Sequence, residues 1–184
     1  MKIESLAIPE VKLITPLKFG DERGFFSETW KEQTFIDAGI PAHFVQDNHA
    51  FSAVMGTLRG LHFQLDPMAQ DKLVRVTRGS VLDVAVDIRR SSPTFGRHVS
   101  AVLSAKNWSQ LWVPKGFAHA YCTLEVDTEV EYKVTAYYSP ALDRGIQFDD
   151  PALAIAWPVT RETVHLSDKD KLQVPLADAA RLFD

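Results

Sequence analysis

Period-two alternation recurs in short stretches along this chain, and residues 81–88 carry it clearly: Leu82, Val84, Val86 and Ile88 fall on one face,. Successive side chains of an extended strand point to opposite faces of a sheet, so such a run specifies a strand with an apolar side. Residues 72–78 alternate in the same way. So do residues 129–135, with Val130, Tyr132 and Val134 facing one way and Glu131 and Lys133 the other. A further strand is expected over residues 117–124, where His119, Tyr121 and Thr123 share a face. The breaks carry turn chemistry: Gly20-Asp21, Arg78-Gly79-Ser80, Ser92-Pro93, Pro114-Lys115-Gly116 and Ser139-Pro140,. Many short strands at this spacing predict an all-β sandwich, jelly roll or barrel.

Only two stretches read as helical. Residues 31–38 form one, with Gly39 as its C-terminal cap and Pro41 beyond it; the tail over residues 176–183 is the other,. No repeat, linker or low-complexity segment interrupts the chain, so residues 1–184 are expected to form a single domain,. The net charge of -4 argues against nucleic acid as the main partner, while allowing a local basic pocket for a phosphorylated small molecule,. Cys122 stands alone, which excludes an intrachain disulfide and a four-thiolate metal site,. Met1-Lys2-Ile3-Glu4 does not open a secretory signal, and no stretch of 18 apolar residues occurs,. A cytoplasmic protein with no membrane partner is the expectation.

One strand carries chemistry. In Leu58-Arg59-Gly60-Leu61-His62-Phe63-Gln64, Leu61, Phe63 and Leu65 alternate with His62 and Gln64. A titratable imidazole on the polar face of a half-buried strand, with an arginine three residues away, suits proton chemistry on an anionic substrate. Taken alone, a strand histidine is more often a hydrogen-bonded core or surface residue. In a jelly roll, the concave mouth between the sheets is where small ligands bind, and an inward face could carry His62, Gln64 and Tyr132 into such a cavity.

Further segments point to one family. They include Phe19-Gly20-Asp21-Glu22-Arg23-Gly24-Phe25-Phe26, Phe44-Val45-Gln46-Asp47-Asn48-His49, Lys72-Leu73-Val74-Arg75 and Asp83-Val84-Ala85-Val86-Asp87-Ile88-Arg89. Later come Ser92-Pro93-Thr94-Phe95-Gly96, Pro114-Lys115-Gly116-Phe117-Ala118-His119, Tyr132-Lys133, Tyr137-Tyr138-Ser139-Pro140 and Leu166-Ser167-Asp168-Lys169-Asp170. With the His62 strand, and over roughly residues 3–175, these resemble the dTDP-4-dehydrorhamnose 3,5-epimerases. The resemblance implies a cupin-type jelly roll (a double-stranded β-helix) with a few short peripheral helices. It implies a homodimer, no cofactor, and inversion of carbons 3 and 5 of dTDP-4-dehydro-6-deoxy-D-glucose in dTDP-L-rhamnose synthesis.

Both carbons flank a ketone, so inversion needs a base, a group that stabilises the enolate oxygen, and an acid on the opposite face. By resemblance, His62 is the base and Asp170 orients it. Lys72 stands by the ketone oxygen, Tyr132 donates the proton, and His119 contacts the substrate. Arg59 suits the diphosphate. Arg23, Glu28, Gln46, Asp47, Asn48, Asp143 and Lys169 match ligand-contacting positions, with Arg23 and Glu28 reaching the neighbouring subunit's pocket. Asp143 departs from the glutamate often found there. Phe26 and Tyr138 are candidates for stacking on the base or packing on the sugar. Without the family match, Asp170 reads as a solvated loop charge, Lys72 as an exposed strand-start lysine, and Tyr132 as a core residue.

Gly56, His62 and Pro114-Lys115-Gly116-Phe117-Ala118-His119 also fit the frame of metal-binding cupins, but Gln64 stands where that frame has its second histidine. No metal is expected. The alternatives are a single-carbon epimerase acting on a related 4-keto nucleotide sugar, a non-catalytic nucleotide-sugar-binding cupin, and a metal-dependent oxygenase.

Overall fold

The computed structural model describes residues 1–184. In chain order its elements are β1 (Lys2–Ser5), β2 (Lys12–Thr15), β3 (Phe19–Asp21), β4 (Gly24–Phe26), α1 (Glu32–Asp37), β5 (Gln46–Ser52), β6 (Leu58–Gln64), β7 (Lys72–Arg78), β8 (Ser80–Asp87), β9 (His98–Ser104), β10 (Gln110–Val113), β11 (Phe117–Thr123), β12 (Thr128–Val134), β13 (Asp143–Gly145) and α2 (Asp168–Lys171). One sheet has the order β1-β2-β10-β7-β12-β5 and the other β13-β6-β11-β8-β9, while β3 and β4 form a separate hairpin. Pairing between these strands is antiparallel. Chain neighbours such as β7 and β8 lie in opposite sheets, as in a cupin-type jelly roll,.

The space between the sheets is filled by Val74 and Val76 of β7, Val81 and Ala85 of β8, Phe117 and Tyr121 of β11, and Val130 of β12. A second core lies on the other face of the five-stranded sheet. There Leu61, Phe63, Val84, Val86, Ala118 and Ala120 pack under Ile146, Leu153 and Leu176. The apolar stripe of residues 81–88 therefore faces a covering layer formed by the C-terminal segment. The opposite stripe is buried too, including Asp83 and Asp87 at 0% exposure. Helix α1 docks through Phe35, which joins Ile14, Leu73 and Trp112 in a third cluster. Full burial of a phenylalanine contributes about 1.5–3 kcal/mol.

The helix expected at residues 31–38 forms as α1, slightly shorter at both ends. The tail departs from expectation. Only a 3₁₀ turn, Leu176–Asp178, forms there. The remaining residues are irregular, with an isolated bridge between Phe183 and Arg89, and Arg90 N–H donates to the Phe183 carbonyl at 2.9 Å. Eight residues hold a helix poorly in isolation, and Leu176 and Phe183 gain more by packing on the second core. Conversely, residues 168–171, readable as a charged loop, form the turn α2. Ser167 caps it by accepting a bond from the Asp170 N–H at 3.2 Å.

Candidate active site

The site begins with a close approach of two backbones. At Gly60, φ is +130°. A Cβ there would lie 2.4 Å from Ala120 Cβ and 2.6 Å from the His119 carbonyl. Glycine lets β6 and β11 meet at this point, where the register shifts between His119 and Tyr121,. The adjoining register sets His62 directly opposite His119. Both histidines line a cavity of about 450 Å³, together with Arg59, Lys72, Tyr121, Tyr132 and Asp170.

His62 Nε2 lies 2.5 Å from Asp170 Oδ1. A carboxylate only accepts, so Nε2 carries the hydrogen and Nδ1 is left with the lone pair. The second Asp170 oxygen accepts from the Ser167 hydroxyl at 2.9 Å. Burial pushes the Asp170 carboxyl up, but the bonds from His62 and Ser167 outweigh it and hold the group below the usual carboxylate range. The α2 turn is thus what delivers an ionised, oriented carboxylate to the histidine.

Lys72 is buried, not exposed as a strand-start lysine ordinarily is. Its ammonium donates to the His62 carbonyl at 3.5 Å. Burial lowers its pKa to about 8, against the opposing pull of the Asp143 and Asp83 charges. Tyr132 projects from β12; burial raises its hydroxyl, and the Arg59 charge partly offsets that. His119 Nε2 donates to Asp83 Oδ1 at 2.8 Å, forming a second, buried histidine–aspartate pair at the cavity wall. Arg59 is exposed at the rim, where Nη2 donates to the Phe51 carbonyl at 3.0 Å.

The remaining expected residues divide into three places. Asp47 and Asn48 line an adjoining cavity of about 340 Å³, whose wall also includes Tyr132. Gln46, Tyr138, Asp143 and Lys169 form a polar chain nearby. Gln46 donates to Asn48 Oδ1 at 2.8 Å and accepts from Tyr138 N–H at 3.2 Å. The Tyr138 hydroxyl donates to Asp143 at 3.2 Å, and Lys169 pairs with Asp143. Arg23, Phe26 and Glu28 line neither cavity. Arg23 instead pairs with Asp21 at 2.5 Å within the β3–β4 hairpin, and Phe26 is 70% exposed.

Gln64 does not face the cavity as its alternation suggested. Its amide donates to the carbonyls of Met68 and Tyr137 and accepts from Ser139 N–H at 2.6 Å, tying two loops to β6. No group of three or more His, Cys, Asp or Glu side chains is arranged to hold a metal ion. Sequence reasoning passed over Asp83 as the partner of His119. The available signal was an acidic residue recurring with Asp87 inside an otherwise apolar strand. It also left Tyr121 without a role, although Tyr121 shares a face with His119.

The chain matches the family model described as dTDP-4-dehydrorhamnose 3,5-epimerase over residues 5–178. A relative from Sinorhizobium fredii named dTDP-4-dehydrorhamnose 3,5-epimerase is 56% identical over 97% of this chain and 91% of its own length. The crystal structure of the Legionella pneumophila dTDP-6-deoxy-D-glucose-3,5-epimerase, in complex with dTDP-4-keto-L-rhamnose, superposes with a TM-score of 0.92. It is 46% identical, with 97% of this chain and 94% of that chain covered. A 3′-monoepimerase from Streptomyces bikiniensis, in complex with dTDP-quinovose, aligns with a TM-score of 0.86 and 33% identity over 94% of this chain and 87% of that one. Sequence match, superposition and the strand order around the His62 cavity agree, and the chain belongs to the dTDP-4-dehydrorhamnose 3,5-epimerase family.

Proposed function

We propose that the chain, acting as one domain, inverts carbons 3 and 5 of dTDP-4-dehydro-6-deoxy-D-glucose to give dTDP-4-dehydro-L-rhamnose. The observation that carries this reading is the His62–Asp170 pair in one cavity with a buried lysine and a tyrosine. His62 takes the proton next to the ketone, and Asp170 stabilises the imidazolium that forms. The Lys72 ammonium meets the charge that develops on the ketone oxygen, in a site where low dielectric strengthens the interaction. Tyr132, on the opposing sheet, returns a proton from the other face. His119, held by Asp83, supports the sugar. Arg59 takes the diphosphate, and Gln46, Asp47, Asn48, Tyr138, Asp143 and Lys169 bind the rest of the nucleotide sugar.

Within this reading the molecule works as a homodimer in the cytoplasm, with no nucleic-acid or membrane partner. No helix is long and apolar enough to cross a membrane. The β3–β4 hairpin presents Phe19, Phe25 and Phe26 to solvent and sits away from its own cavity. Such an arm suits insertion into a second copy, where Arg23, Phe26 and Glu28 would complete the nucleotide pocket.

A single-carbon epimerase is the second reading, favoured by the likeness to the Streptomyces bikiniensis enzyme. Proton NMR of dTDP-4-dehydro-6-deoxy-D-glucose with the chelator-treated protein in heavy water separates them. Deuterium at both carbon 3 and carbon 5 is expected. Deuterium at one carbon would establish the second reading, and none would sink both.

A further inference from the structure

Tyr121 and Asp83 are register partners across β11 and β8. Each carries a buried polar atom with no hydrogen-bond partner: the Tyr121 hydroxyl and Asp83 Oδ2. A buried polar group left unpaired costs about 1–3 kcal/mol, and native proteins keep few of them. Asp83 keeps one bond, from His119 to Oδ1, while its Oδ2 stays unpaired. The Tyr121 hydroxyl has no bond at all. Tyr121 sits in the apolar core between the sheets at 4% exposure, where a phenylalanine would carry no hydroxyl to leave unpaired.

The position of that hydroxyl suggests its use. Tyr121 lines the His62 cavity alongside Tyr132, and Tyr132 packs against the core cluster to which Tyr121 belongs. In the proposed reaction His62 accepts the substrate proton. The Tyr132 O–H bond then breaks, its proton forms the new C–H bond, and the electron pair stays on the phenolate oxygen. Burial disfavours that phenolate, with Arg59 as the one cation that offsets it. What the site lacks is a hydrogen-bond donor for the Tyr132 oxygen, and Tyr121 has one to spare.

We propose that Tyr121 is a positioning residue for the general acid, its hydroxyl donating a hydrogen bond to the Tyr132 oxygen as that oxygen gives up its proton. Tyr121 keeps its own proton throughout, and exchange with water returns His62 and Tyr132 to their starting states. This inference rests on the assignment of Tyr132 as the acid.

The test compares Tyr121→Phe, Tyr132→Phe and the double variant by steady-state turnover and thermal melting. A hydrogen bond to a charged group predicts that Tyr121→Phe lowers kcat about 10- to 100-fold. KM should hardly move, and the melting temperature should stay level or rise, because the unpaired hydroxyl is gone. The double variant should be no slower than Tyr132→Phe alone. The inference is overturned if Tyr121→Phe keeps wild-type kcat, if its loss comes with a drop in melting temperature, or if the two losses multiply. Wild-type turnover in Tyr132→Phe would remove the acid assignment itself and this inference with it. An impaired Tyr132→Phe beside an unimpaired Tyr121→Phe would remove the inference alone.

Discussion

In the proposed mechanism Lys72 acts as a cation, yet it sits where burial favours its neutral form. Its folded pKa of about 8 lies below the usual lysine value. Neutralisation above pH 8 therefore relieves a burial cost, and this group does not weaken the fold there. Activity moves the other way. The value of kcat/KM, which reports the free enzyme, should fall as pH rises through about 8. In Lys72→Arg, whose guanidinium stays charged, the rate should be lower but that limb should be absent. If the limb persists in the variant, it belongs to another group. The base is tested separately: His62→Ala should lose about 100- to 10,000-fold in kcat, the usual span for general acid–base groups. Affinity for dTDP should be nearly unchanged by calorimetry, and wild-type turnover would end the assignment. His62 was legible in the sequence because it stands, three residues from an arginine, on the polar face of a strand whose other face, Leu61, Phe63 and Leu65, is apolar. Asp170 was not, since its value depends on a pairing 108 positions away in the chain and on a four-residue turn too short to leave a pattern. Lys72 was equally opaque: nothing in an alternating run tells a buried end from an exposed one.

At the scale of elements, β6, β8 and β11 set the geometry, and two of their features invite tests. Gly60→Ala would place a methyl 2.4 Å from Ala120 Cβ at a φ that side chains rarely adopt. The expected cost is about 3 kcal/mol or more, read as a lower denaturation midpoint, with turnover reduced because His62 and His119 lose their shared register. A neutral substitution would mean that the strands can part here. At the end of β8, Asp87 accepts from Arg89, Ser92 and Thr94, which fold the following loop back onto the strand. Burial pushes its carboxyl up, but these bonds outweigh it and bring the pKa down to about 2. A depressed carboxyl contributes stability that is present above its unfolded value and is lost as pH falls toward 2. Asp87→Asn should cost roughly 3 kcal/mol at neutral pH, the low end for a broken buried pair because Arg89 keeps Glu10,. The loss should shrink in acid melts, and a constant difference down to pH 2 would contradict the ionic account. The strands themselves were readable from alternation and turn residues. The direction of their faces was not, because β8 is apolar enough to bury both sides. The tail was misread as helix because Leu176 and Phe183 are spaced for packing on the second core, a tertiary demand that overrides local pattern.

The whole molecule raises the question of whether one chain holds a complete site. The cavity gathers His62, Lys72, Tyr132 and Asp170, while Arg23 and Phe26 remain on a hairpin whose phenylalanines are largely exposed, and Glu28 lies just beyond it. An apolar arm of that kind is poorly suited to an isolated chain. In the proposed two-fold dimer each subunit inserts its arm into the other's pocket. The arrangement makes a prediction that a self-contained monomer cannot meet. Arg23→Ala damages the arm and leaves the pocket intact; His62→Ala damages the pocket and leaves the arm intact. Each homodimer should be poorly active. When the two are unfolded, mixed in equal amounts and refolded, half the dimers are mixed, and one of the two sites in each combines a native arm with a native pocket. Activity should recover to about a quarter of wild type. If mixing restores nothing while both variants refold and sediment as dimers, the arm serves its own subunit and the pocket is completed within one chain.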